Sequence, residues 1–284
     1  MKNFFVFNEG FSKSKTASYI LSLQLDDFSY SYVILDPINK VYDAINHHNF
    51  EKKVINKHIV EKAEVMIKED LFLSKNYKTV YFNYSTNKST LVPAELFDRK
   101  KIKQIFTFTH KLEEFEELHF NYIKEVDSYN IFAMPSDLTT LLVNKFPEIV
   151  FVHQNNIFIK TLVEKGKAVK FKLPVVHVNV NSNFFDIGIY MDDKFVMVNS
   201  YRYNDKNDFI YYLLNTLEQY KIKVNKMHFN VSGILEKDTD FYNFVLKFIP
   251  KLNFLSLQNK MKFNFKDIDQ HLIFNLLNLH NADN

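Results

Sequence analysis

The sequence predicts an α/β fold laid down twice: two lobes, each with a mixed sheet led by an antiparallel meander and flanked by helices. Three observations predict it. Short runs rich in β-branched and aromatic residues come in groups of three ahead of a helical stretch. The order three strands, helix, strand, helix, strand, read first over residues 18–154, returns after residue 174. The two strand–helix–strand ends also match in sequence, LLVNKFPEIVF at 141–151 beside FVLKFIPKLNF at 244–254, a self-similarity that marks a repeated unit. The expected division is 1–154 for the first lobe, 155–174 for a connecting hairpin or bridge, and 175–284 for the second lobe with a C-terminal helix.

Taken in order, Tyr19–Leu25 and Tyr30–Leu35 read as strands separated by Asp26-Asp27, and Lys40–Ile45 as a third strand after the turn at Asp36-Pro37. Residues 51–72 place Ile55, Ile59, Ala63, Met66 and Ile67 at helical spacing, with Asn49 as the expected N-cap. Strands follow at Thr79–Tyr84 and Thr90–Val92, then a helix near Lys100–Thr107, a mixed region to Tyr129, and a strand at Asn130–Met134. Pro135-Ser136-Asp137 opens a helix to Phe146, Ile149–His153 is a strand, and Asn155–Lys172 is expected to turn near Gly166 as a hairpin-like bridge. In the second half, Val175–Val180, Phe184–Met191 and Phe195–Ser200 form a meander, with Asp192-Asp193 turning its last hairpin. A helix over Asp208–Tyr220, a strand over Met227–Val231, a turn at Ser232-Gly233, a helix over Asp240–Ile249 and a strand over Leu252–Leu257 complete the repeat. In the tail, Lys260–Asn284, an apolar face of Leu272, Ile273, Leu276, Leu277 and Leu279 predicts a short helix after Asp269 that packs on a lobe.

Composition narrows the chemistry. The 284 residues suggest about two domains, and with no cysteine there are neither disulfides nor thiolate metal sites. The opening apolar run is too short for a signal-peptide core or a membrane span, which predicts a cytoplasmic protein. A net charge of +3, from 36 basic and 33 acidic residues, gives no electrostatic footprint for nucleic acid. Average usage would supply roughly 20 glycines, but only Gly10, Gly166, Gly188 and Gly233 are present, none close to another in sequence. Phosphate cradles need closely spaced residues that tolerate positive φ and let backbone amides approach the ligand. A Walker loop, a dinucleotide fingerprint and a kinase glycine loop are all absent.

The duplication resembles the actin-like (ribonuclease H-like) superfamily of actin, hexokinase and the heat-shock chaperone ATPases, and within it the compact type IV pilus PilM-like branch. This likeness covers residues 18–258 and lies in topology and hydrophobic pattern. The stretches NSYRYNDKNDFIYYLLNTLEQ (199–219), FNVSGIL (229–235), TLVPAELF (90–97) and FPEIVFVH (146–153) are similar to an uncharacterised bacterial family of unknown function assigned to that superfamily. The resemblance implies the actin-like ATPase fold and no particular activity.

It also implies where a nucleotide would bind. Active relatives carry a pattern like D-x-G-x-x-[ST]-x-D on the first hairpin of the second lobe, the Asp positioning metal or water, the glycine amide and the hydroxyl holding phosphate. Here the stretch VNVNSNFFDIGI puts Asn179 at the first Asp, Asn181 at the glycine, Asn183 where a further glycine can stand, and Phe184 at the hydroxyl; only Asp186 is kept. Asn is no general base and binds Mg²⁺ less well than a carboxylate. The equivalent first-lobe turn is Gln24-Leu25-Asp26-Asp27-Phe28, whose two acids repel a triphosphate, and the adenosine position offers only Ser232-Gly233. Three weakened motifs predict a pseudo-ATPase with no catalytic residue, no cofactor and no metal. The alternatives are a divergent nucleotide-binding protein using ATP with Mg, or a small-molecule kinase working in the interdomain cleft.

Other clusters read as structure. His47-His48 invites a metal reading, but neighbours on a strand face opposite ways, so a solvent-exposed strand end is expected; His177 is a strand residue and His110 a loop residue. Glu113, Glu114, Glu116 and Glu117 suggest a solvated helix face, and Arg99-Lys100-Lys101 with Lys103 a wet surface turn. Tyr201, Tyr203, Tyr211 and Tyr212 lie denser than one core face needs, which makes them candidates for binding another protein.

Overall fold

Strands lead the chain. In the computed structural model, β1 (Phe4–Phe7), β2 (Ile20–Leu25), β3 (Ser29–Asp36) and β4 (Val41–Asn49) precede α1 (Ile59–Glu69) and β5 (Thr79–Tyr84). Next come β6 (Ser89–Pro93), α2 (Ile102–Thr107), β7 (Glu116–Ile123), β8 (Ser128–Pro135), α3 (Ser136–Lys145), β9 (Ile149–Phe151) and α4 (Gln154–Ala168). The second half runs β10 (Val175–Val180), β11 (Phe184–Met191), β12 (Lys194–Arg202), α5 (Lys206–Gln219), β13 (His228–Gly233), α6 (Asp240–Leu246), β14 (Asn253–Phe254) and α7 (Phe274–Asn278). The structure describes residues 1–54, 58–169, 173–257 and 261–282; Ile55, Lys172, Lys260 and Asn284 of the sequence reading lie outside them.

Two mixed sheets carry the repeat. The first is ordered β1-β4-β3-β2-β5-β9 and the second β12-β11-β10-β13-β14. In each, an antiparallel meander is followed by parallel strands, β2 on β5 and β10 on β13. Both meanders even bulge at the same point, between Ile34 and Leu35 and between Ile189 and Tyr190. The two-residue turn Asp192-Asp193 takes φ of 53° and 60°, the mirror-image geometry that hairpins prefer and that Asp tolerates better than most side chains.

Four features differ from the sequence reading. The first helix starts at Ile59, not near residue 51. Asn49 is no N-cap but ends β4, and the chain beyond it is tied back to the first hairpin through Phe50 N–H to Phe28 O and Val54 N–H to Asp27 O, both 2.7 Å. The mixed region before Tyr129 contains β7, unassigned in the sequence reading, which pairs with β8 in a third sheet, β6-β8-β7. The acidic run therefore forms no helix face: Glu116 lies on β7, and Lys88 Nζ donates to it at 2.7 Å.

The third difference is the largest. Asn155–Lys172 is not a hairpin, because Gln154–Ala168 forms α4, capped by His153 Nδ1 accepting from Asn155 N–H at 3.2 Å. Its amphipathic period is hidden because Asn155, Ile157, Phe158, Ile159, Leu162 and Val163 are all buried. Gly166 makes no turn. A Cβ there would meet the Tyr190 ring at 2.2 Å, so the glycine lets helix and sheet approach closely.

Finally, Ser232-Gly233 is no free turn but the end of β13. The tail packs as expected, with Ile273, Leu276, Leu277 and Leu279 buried. It settles between β2 and β3 of the first sheet and β13 of the second, while α4 lies on β10 and β11 of the second. The first lobe's last strand thus feeds α4 into the other lobe, the tail bridges the two sheets, and together they form a shared core of Val33, Tyr42, Ile157 and Leu277.

Candidate functional site

The two hairpins face each other across the cleft, and their ladders set the correspondence between them. Leu25 pairs with Tyr30 and Val180 with Phe185, so Asp26 matches Asn181 and Ser31 matches Asp186. Both turns close alike, Asp26 N–H to Ser29 O at 3.0 Å and Asn181 N–H to Phe184 O at 2.9 Å.

Their side chains diverge. In the first lobe Asp26 Oδ1 accepts the backbone N–H groups of Phe28 (2.6 Å) and Ser29 (2.8 Å), so the acid caps its own turn. Asp27 accepts from Tyr84 OH at 3.3 Å and lies 3.5 Å from Lys53 Nζ. Burial pushes the Asp26 carboxyl up to about 6, against the opposing pull of the Phe28 and Ser29 amides.

In the second lobe Asp186 is fully buried and faces inward. Asn179 Nδ2 donates to it at 3.1 Å, Asn181 Nδ2 at 3.2 Å and Ser200 Oγ at 2.6 Å. Desolvation raises its carboxyl to about 6, and those three hydrogen bonds limit the rise. Asn179 Oδ1 in turn accepts from Ser232 Oγ at 3.0 Å, and Ser232 shares a hydrogen bond with His177 Nε2 at 3.0 Å. His177 is stacked on Phe158 with ring centroids 4.3 Å apart, and burial lowers its pKa to about 3, so the ring is neutral.

The remaining sites predicted from sequence are placed as follows. Phe184 is buried but lines the smaller cleft cavity, and Asn183 contributes its carbonyl to Tyr203 N–H at 3.1 Å. Gly233 has φ +85°, and a Cβ there would sit 2.0 Å from Val180 O. His47 is buried rather than a solvent-exposed strand end: it shares hydrogen bonds with Ser31 Oγ at 2.7 Å and Asn49 Oδ1 at 3.1 Å, and desolvation lowers its pKa to about 4. His48 faces solvent. Tyr203 is held by Phe185 and Phe209 and donates to Asn181 O at 2.5 Å. Tyr201 and Tyr212 stack on each other 5.1 Å apart, which leaves Tyr211, at 65% exposure, facing solvent.

Sequence reasoning missed the polar belt as a repeated device. Gln24 and Asn179, Asn83 and Ser232, Ser31 and Asp186, and His47 and Ser200 occupy matching ladder positions. Asn83 Nδ2 donates to Gln24 Oε1 at 3.2 Å, as Ser232 does to Asn179. Aligning the two repeats strand by strand would have exposed the pattern, because every member is polar where buried strand neighbours are apolar.

Between the hairpins the cleft is narrow. Ser85 Oγ reaches Asn181 Oδ1 at 3.3 Å from the opposite lobe, and Arg202 Nη2 reaches Asn87 Oδ1 at 3.1 Å. Two cavities of about 70 and 60 Å³ flank this bridge, the larger bordered by Leu272 and Leu276 of the tail. Ligand pockets usually run to about 300–1,000 Å³. Among the described residues no cluster of three or more His, Asp or Glu is placed to hold a metal, and no helix is long and apolar enough to cross a membrane.

Comparison with known proteins agrees with this fold. Residues 8–252 match a family described as "Protein of unknown function (DUF3822)". A solved protein "with actin-like ATPase fold and unknown function" from Bacteroides thetaiotaomicron is similar at 24% identity and a TM-score of 0.73, covering 86% of this chain and 93% of its own. A PilM–PilN type IV pilus biogenesis complex is similar at 9% identity and a TM-score of 0.63, covering 93% and 98%. No curated protein matches the sequence significantly.

Proposed function

The chain belongs to this DUF3822 family and has the actin-like fold, and we propose that it is a non-catalytic scaffold or adaptor, an actin-like clamp that no longer turns over ATP and works by holding another protein. One observation carries the reading. Asp26 occupies the amides of its own turn, at 2.6 and 2.8 Å, so a carboxylate lies where the resemblance puts a phosphate. On the facing hairpin the retained Asp186 is locked inward by Asn179, Asn181 and Ser200. Cavities of 60 and 70 Å³ support the same reading. The fold neighbour PilM is solved in a complex with PilN, and a protein partner for this chain is proposed by that analogy.

The test is direct. Purified protein is incubated with Mg-ATP, and turnover is measured beside an Asn179→Asp variant. No turnover by the wild type is expected, and hydrolysis abolished by Asn179→Ala would overturn the scaffold reading in favour of a divergent ATPase or kinase. Thermal unfolding with Mg-ATP adds a binding readout, since a ligand at a hundred times its Kd stabilises by about 2.7 kcal/mol; no shift is expected.

A further inference from the structure

The two sheets differ at one edge. β4 and β12 are equivalent third strands, because His47 pairs with Ser31 where Ser200 pairs with Asp186, so residues 44–49 correspond to 197–202. The outer edge of β4 is covered by β1, with Phe4 opposite His47 and Phe7 opposite Ala44. β12 is the outermost strand of its own sheet, and among the described residues nothing pairs with its outer edge.

Backbone alternation shows which groups point there. Phe50 N–H donates to Phe28 O and Tyr203 N–H to Asn183 O, so every second residue back from them bonds inward. The residues between turn outward: Ile45 and His47 on β4, met by β1, and Val198, Ser200 and Arg202 on β12. Ser200 N–H has a local bond only, to the neighbouring Asn199 Oδ1 at 2.9 Å.

Both faces of β12 are half-buried against the core. Phe195 and Val198 pack with Leu162 and Tyr190, while Met197 and Tyr201 join the core around Leu213. What stays open is a backbone edge bounded by apolar layers, and the run Phe195–Val198 has neither the Lys nor the Pro that commonly blunts such an edge.

The covered edge also indicates the chemistry of an occupant. Asn49, at the end of β4, is held by Asn3, the residue before β1, whose Oδ1 accepts Asn49 N–H and Nδ2 at 2.8 Å each. Arg202 stands in the place of Asn49, exposed and anchored by Asn87. A residue in the role of Asn3 would therefore be a carboxylate. We infer that the outer edge of β12 docks an extended segment of another protein, an acidic residue followed by an apolar strand, added antiparallel in the register that β1 keeps on β4. This rests on the scaffold reading for its purpose, but ATP turnover decides that reading and peptide binding decides this one.

The probe is a fluorescein-labelled peptide with Asp-Phe-Phe-Val-Phe-Asn between solubilising serines, β1 and its flanks with Asp for Asn3. Anisotropy is expected to rise saturably with the full chain. Val198→Pro removes an outward N–H and leaves the β11 ladder whole, so binding should be lost, while the unfolding midpoint falls only by the lost packing of Val198 on the Leu162 and Tyr190 cluster. Arg202→Glu should weaken the Asp peptide about fivefold and favour a Lys version. Should the proline variant not fold, amide exchange of the wild type decides, with slowing at 198–202 expected on peptide addition. Absent saturable binding, binding undiminished by Val198→Pro in the folded variant, or exchange at 198–202 unchanged by the peptide would overturn the inference. A concentration-dependent dimer that the peptide cannot enter would also overturn it, in favour of a second copy on the same edge.

Discussion

The two lobes build the same ladder and put different chemistry on it. In the first, Ser31 meets a neutral His47, and Asp26 turns back onto its own backbone. In the second, the same positions hold Ser200 and a buried Asp186 whose two oxygens receive three side-chain donors. The difference teaches that backbone geometry, not residue identity, is what the repeat preserves. In the scaffold reading proposed above, the nucleotide site is lost because polar groups satisfy one another instead of facing the cleft.

The largest test of that comparison is Gly233→Ala. The matching first-lobe residue, Tyr84, carries a side chain at the same ladder position, pairing Leu25 as Gly233 pairs Val180. With φ at +85° and a Cβ 2.0 Å from Val180 O, alanine at 233 should cost at least about 3 kcal/mol in urea unfolding. A cost below about 1 kcal/mol would show that the second ladder is free to relax toward the first.

Acidity separates the ladder residues Asp186 and His47 next, while Asp26 of the first lobe is raised like Asp186. Asp186, raised to about 6 when folded, keeps its proton where the unfolded chain, near 3.9, has released it. Stability from this group is therefore full below about 3.9 and falls as pH rises through 6, by at most about 3 kcal/mol. His47, lowered to about 4, has the opposite sign: the unfolded chain takes its proton near 6.5, so stability falls as pH drops from there toward 4. Chemical denaturation between pH 4 and 7 should show Asp186→Asn flattening the first slope and His47→Gln the second. Like-signed changes would break the contrast.

At fixed neutral pH, Asp186→Ala strands the Asn179 and Asn181 amides and should cost about 2–3 kcal/mol, against about 1 kcal/mol for Ser31→Ala, which strands one imidazole nitrogen. Equal costs would mean that the belts are equally consolidated. The smallest effects are on α5, where Tyr212 is half-buried and Tyr211 exposed. Tyr212→Ala loses the stack on Tyr201 and should lower stability by about 1 kcal/mol, while the exposed Tyr211→Ala should stay within about 0.5 kcal/mol. Both are read from urea midpoints.

The sequence by itself determined the duplicated α/β plan, the limits of Phe184–Met191, and the degeneracy of the hairpin pattern, because strand alternation, turn residues and missing glycines are local properties. The packing of the tail was legible too, from its row of leucines. Only the tertiary structure decided that α4 is a helix, since burial all round its N-terminal turns erases the period by which a helix is recognised. It alone showed the pairing that makes β7 a strand and takes Glu116 to Lys88. It also decided which way Asp26 and Asp186 point. A carboxylate's role depends on which donors reach it, and those donors come from strands far apart in sequence: Ser200 lies on β12, and Ser232, one bond further along through Asn179, lies on β13.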